Sequence, residues 1–69
     1  MTTKELIARL PQNVMDRING MKKILKTTYP GERKYDEARN MINGYTKGLM
    51  DAGMITDRER SILYVYATL

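Results

Sequence analysis

A chain of 69 residues with no cysteine and no histidine can hold one small domain, and it lacks disulfides, thiolate–metal sites and imidazole chemistry. Tryptophan and phenylalanine are absent too, so the core must be built from Leu, Ile, Met and five tyrosines. The net charge of +4 is unevenly placed: residues 1–30 carry six basic and two acidic side chains, and residues 31–69 carry six of each.

The start, Met1-Thr2-Thr3-Lys4-Glu5, is charged and leads into no long apolar run, which is unlike a signal peptide. No stretch approaches the roughly 18–20 apolar residues that span a bilayer. A complete, small cytoplasmic gene product is therefore expected. Thr2 and Glu5 have the spacing of a capping box, opening a short helix with Leu6, Ile7 and Leu10 on one side. Pro11 ends that helix or restarts the next, since a missing N–H is harmless in a first turn.

From about Gln12 to Thr28, Val14, Ile18, Met21 and Leu25 recur at helical steps, with Met15 and Ile24 on the flanks. The run from Thr27 through Tyr29, Pro30 and Gly31 breaks the pattern. A third helix is predicted from near Glu32 to Ala52. Its apolar sector holds Tyr35, Ala38, Met41, Ile42, Tyr45, Leu49 and Ala52, within about one-third of a turn. Gly44 and Gly48 lie beside it, and two helical glycines predict that another helix backbone crosses closely there.

Gly53 supplies the positive φ that closes this helix, and Thr56 with Glu59 forms the capping box of a fourth, about Asp57 to Thr68. The last helix is apolar nearly all round: Ile62, Val65, Tyr66 and Leu69 form one face, Leu63 and Ala67 a second. Such a helix is inserted among others or shared with a partner. It is expected to be the most buried of the four. The face of Leu63 and Ala67, with Tyr64 at its edge, is expected to meet either the first helix or a second copy.

Most chemistries fail on their residues. Aligned as a calcium loop on Gly53 and Glu59, the segment puts Gly48, Met50 and Ala52 at ligand positions, and none carries a side-chain oxygen. Aligned as a DNA-reading helix-turn-helix, its second helix offers only Arg58 and Arg60 as long donors. Asp36 and Glu37 have Arg33 and Arg39 nearby as surface partners, and Ser61, the only serine, has no recognisable base beside it. No enzyme, cofactor or metal site is expected. Lys22, Lys23 and Lys26 share one side of the second helix with Asn19. They read either as a solvated helix end or as a phosphate-contacting patch.

Within residues 43–69, the run Gly44-Tyr-Thr-Lys-Gly-Leu-Met-Asp-Ala-Gly-Met-Ile-Thr-Asp-Arg-Glu-Arg60 and the following Ile-Leu-Tyr-Val-Tyr resemble the C-terminal half of small uncharacterised proteins. These belong to phages and conjugative elements of Gram-positive bacteria. The segment from Asp51 to Glu59 also resembles the short helix-turn-helix hairpin called SHOCT. The resemblance implies helical packing and a mobile-element origin, and no activity. The expectation is an all-α bundle of three main helices preceded by a short one. Functionally, it is a non-enzymatic protein that binds another protein or itself, away from membranes. The alternative is a nucleic-acid-associated accessory protein using the three lysines.

Overall fold

The computed structural model describes residues 2–69 and is all-α. Its helices are α1 (Thr3–Arg9), α2 (Gln12–Thr27), α3 (Arg33–Asp51) and α4 (Asp57–Thr68). Both predicted capping boxes are present. Thr2 Oγ1 accepts the Glu5 N–H at 3.1 Å while Glu5 Oε1 accepts the Thr2 N–H at 3.2 Å. At α4, Thr56 Oγ1 accepts the Glu59 N–H at 3.1 Å and Glu59 Oε1 accepts the Thr56 N–H at 2.9 Å. Each box satisfies two amide donors that a helix start would otherwise leave free. Pro11 occupies the N-cap of α2, and its carbonyl accepts from Val14 and Met15, both at 3.1 Å.

The α3–α4 turn follows from Gly53, whose φ is +78°. The Gly53 N–H bonds the Met50 carbonyl and the Met54 N–H bonds the Leu49 carbonyl, both at 3.0 Å. This paired arrangement closes a helix on a left-handed residue, a conformation glycine adopts without a Cβ penalty.

Helix α2 is the centre of the bundle, packing against both α3 and α4, while α1 lies on α4. Val14, Met15, Ile18, Met21 and Leu25 are all buried, so α2, and not α4, contributes most to the core. Helix α4 buries a single line of side chains, Glu59, Leu63 and Ala67, spaced four apart. The expectation of a deeply inserted last helix is corrected accordingly. Helices α1, α2 and α3 pack on its inner side, and among the described residues Val65 and Leu69 on its outer side stay exposed.

The expected close crossing at Gly44 and Gly48 is also corrected. Both glycines are exposed, and a Cβ added at either meets no atom within 4 Å. The core line of α3 runs instead through Ala38, Ile42, Thr46 and Leu49. Met41 and Ala52, placed in the apolar sector by periodicity, are exposed. Without a neighbour to accommodate, a helical glycine only enlarges the entropy of the unfolded chain. Gly48→Ala should therefore stabilise the fold by about 0.4–1 kcal/mol in a urea melt; a loss of stability would restore a close contact at this position.

Candidate functional site

Three places carry the residues singled out by sequence: the α3–α4 hinge, the lysine cluster of α2, and the two faces of α4. At the hinge, Gly53, Thr56 and Glu59 act together structurally. Beyond its capping role, Glu59 Oε2 pairs with Arg9 Nη2 at 2.8 Å, and Arg9 Nη1 donates to the Met54 carbonyl at 3.3 Å. One carboxylate thus starts α4 and also fastens α1 to the hinge. The Thr56 N–H it accepts lowers its pKa below the ordinary carboxylate value; partial burial opposes this, and Arg9 reinforces it.

A carboxylate whose pKa is depressed by folding adds stability above its unfolded pKa, about 4.3, and loses it as pH falls through the folded value. Glu59→Gln keeps an acceptor oxygen for Thr56 and removes the titrating charge. The variant should therefore lose less stability than the wild type between neutrality and about pH 3 in urea melts. Equal losses in the two proteins would show that Glu59 does not titrate with folding.

The lysine cluster is only partly a surface. Lys22 Nζ donates to the Tyr66 carbonyl at 2.8 Å and lies 3.8 Å from the centroid of the Tyr66 ring. Partial burial and neighbouring Lys26 both lower its pKa. The Tyr66 hydroxyl in turn donates to Asn19 Oδ1 at 2.6 Å. Lys22 and Asn19 therefore tie α2 to the C-terminal turn of α4, where a cation meets exposed helix carbonyls favourably. Lys23 and Lys26 remain exposed. The expected patch of three lysines is thus reduced to two, with the third committed to an internal contact.

The two faces of α4 exchange the roles that the apolar pattern suggested. Leu63 is 0% and Ala67 1% exposed, so a second copy finds neither of them on the surface. Leu6 of α1 and Leu10 at its C-cap join them in one core cluster. Of the two covers expected for this face, the first helix is the one found; the partner or dimer face assigned to Leu63, Tyr64 and Ala67 is corrected, since only Tyr64 is half-exposed. The reason is geometric: α1, α2 and α3 close over one line of α4, and that line runs through Leu63. The larger apolar face is split: Ile62 and Tyr66 pack at the core's edge, and Val65 and Leu69 are left outside. Val65 is 49% and Leu69 82% exposed, with Ile62 half-buried beside them. Arg58, Ile62, Val65 and Leu69 follow steps of four, three and four, the spacing of a short helix–helix seam.

Ser61 and Val65 form a ridge along this outer face, with a groove on either side. One groove, of about 270 Å³, is lined by Thr3, Ser61, Ile62 and Val65. The other, of about 360 Å³, is lined by Asn43, Arg60, Ser61, Tyr64 and Val65. Sequence reasoning assigned no role to Arg60 or Asn43 as a pair, nor to Thr46. Arg60 Nη2 donates to Asn43 Oδ1 at 2.7 Å, and its Nε to Thr46 Oγ1 at 3.4 Å. Thr46 is fully buried, and its hydroxyl is satisfied by the Ile42 carbonyl at 2.8 Å. A back-bonding threonine can occupy a core position in this way.

Among the described residues, no three His, Cys, Asp or Glu side chains gather where a metal ion could be held. No described helix is long and apolar enough to cross a membrane. Comparison with known protein families, with curated proteins and with solved structures finds no match to this chain.

Proposed function

We propose that this chain is a non-enzymatic binding protein that docks on another protein, its own copy or a different chain, through the outer face of α4. The observation that carries this reading is the exposure of Val65 on α4 and of its C-cap residue Leu69, at 49% and 82%, next to half-buried Ile62. Scattered exposed apolar residues are ordinary, but these three recur at seam spacing on a helix whose inner line is already satisfied. The rival reading, nucleic-acid binding by the lysines, is weakened because Lys22 is engaged with Tyr66 and leaves Lys23 and Lys26 alone. Two exposed lysines neutralise few phosphates.

Co-purification from the native host with wild type and with Val65→Glu tests the reading. The wild type should retain a protein in fixed ratio that the folded variant loses. Equal retention by both would move docking away from this face. Recovery of nucleic acid instead, released steeply as salt rises, would favour the lysines.

A further inference from the structure

The groove on the α3 side of the ridge has a chemistry that selects the partner, given the reading that the outer face of α4 docks a protein. Two side-chain rungs cross from α3 to α4, one helical turn apart. In one, Arg39 Nε of α3 donates to the Tyr64 hydroxyl of α4 at 3.2 Å. In the other, Arg60 of α4 donates through Nη2 to Asn43 of α3, at 2.7 Å to Oδ1 and 3.1 Å to the carbonyl. Arg60 lines the groove itself, and Arg39 reaches its edge through the Tyr64 hydroxyl.

A guanidinium carries five N–H donors and no acceptor. Among the described residues, Arg39 bonds only through Nε, and Arg60 leaves Nη1 without a partner. The Tyr64 hydroxyl accepts from Arg39 and donates to no described residue. Neither arginine forms an ion pair among the described residues, and no carboxylate lines either groove beside the ridge. The charged capacity left over on these arginines is all donor, and it stands beside Val65, which with the Ser61 hydroxyl borders both grooves.

We propose that this face takes an acidic amphipathic segment of another protein, its apolar side chains on Ile62, Val65 and Leu69 and a carboxylate at Arg39 and Arg60. The exposed Val65 and Leu69 set a peptide apart from a phosphate backbone, which would leave both wet. A second copy is a poorer occupant, because a two-fold contact sets the same patch against itself. Each copy would bring Arg39, Arg58 and Arg60 to the seam against Asp36 and Asp57, from a chain of net charge +4.

Fluorescence anisotropy can test this on the full chain at physiological salt, using a labelled helical peptide with leucines at heptad spacing flanked by glutamates. Its twin carries glutamine for each glutamate. The acidic peptide should bind about tenfold more tightly than the twin, the increment expected of one charge-assisted hydrogen bond. Arg39→Gln, at an exposed position, and the Arg39→Gln/Arg60→Gln pair should lose that preference while binding the twin as before. If the paired variant does not fold, Arg39→Gln alone decides. Equal affinity for both peptides, or a wild-type dimer broken by Val65→Glu, would overturn the acidic partner and leave docking at α4 intact. Duplex DNA binding abolished by Arg39→Gln, without peptide binding, would assign the donors to phosphate and overturn it likewise. A monomeric chain that binds neither peptide would overturn the proposal and the docking reading together.

Discussion

Leu63→Glu is expected to unfold the protein. Leu63 is fully buried, in one cluster with Leu6 of α1, its C-cap residue Leu10, and Ile18 of α2. Truncating a buried leucine to alanine costs about 2–5 kcal/mol. A glutamate at the same place loses the same packing and also buries a carboxylate without a partner, which adds further cost. At roughly 0.05–0.15 kcal/mol per residue, the whole chain is worth only about 3–10 kcal/mol. Far-UV circular dichroism should show the helical signal lost in Leu63→Glu and weakened or more easily melted in Leu63→Ala. A soluble, helical Leu63→Glu protein would show that this line of α4 lies at the surface.

Gly53→Val is expected to be the most damaging change outside the core. At φ +78° the residue is in the left-handed region, where a β-branched side chain is strained whatever space surrounds it. Such strain costs about 1–3 kcal/mol. In a domain this small, each kcal/mol lowers the melting temperature by roughly 4–8 °C. Gly53→Asn should be milder, because asparagine tolerates the left-handed region. A valine variant that melts with the wild type would mean that α3 ends differently and that the hinge geometry is wrong.

What local chemistry decides was legible in the sequence. The capping boxes at Thr2 and Thr56 locate two helix starts, and the α2 stripe names four of its five buried residues with Met15 on its flank. The bounds of α4 follow from Thr56 at one end and the length of the apolar run at the other. What distant neighbours decide was not legible. Helix α4 has two apolar arcs, and counting apolar side chains favours Ile62, Val65, Tyr66 and Leu69. The arc that is buried is the line of Glu59, Leu63 and Ala67, which looks weak because it contains a carboxylate and an alanine. Glu59 is admitted there because Thr56 and Arg9 satisfy it.

The same limit explains Lys22 and Thr46. Lys22 lies with two other lysines in sequence, yet its partner Tyr66 is 44 residues away. Thr46 sits between apolar positions and is buried because its hydroxyl returns to its own helix. The Arg39–Tyr64 and Arg60–Asn43 rungs likewise need α3 and α4 to be placed side by side before they can be seen. Gly44 and Gly48 suggested a crossing that the neighbouring helices do not make, because the line α3 buries runs on its other side.

Helix α4 turns Leu63 inward and Val65 outward. A urea melt of Val65→Glu tests it most directly. At a half-exposed outer position the substitution should change stability by no more than about 0.5 kcal/mol, leaving a folded chain with the wild-type cooperativity. A Val65→Glu protein that is unfolded, or that melts as early as Leu63→Ala, would place the outer face in the core and leave no docking surface on α4.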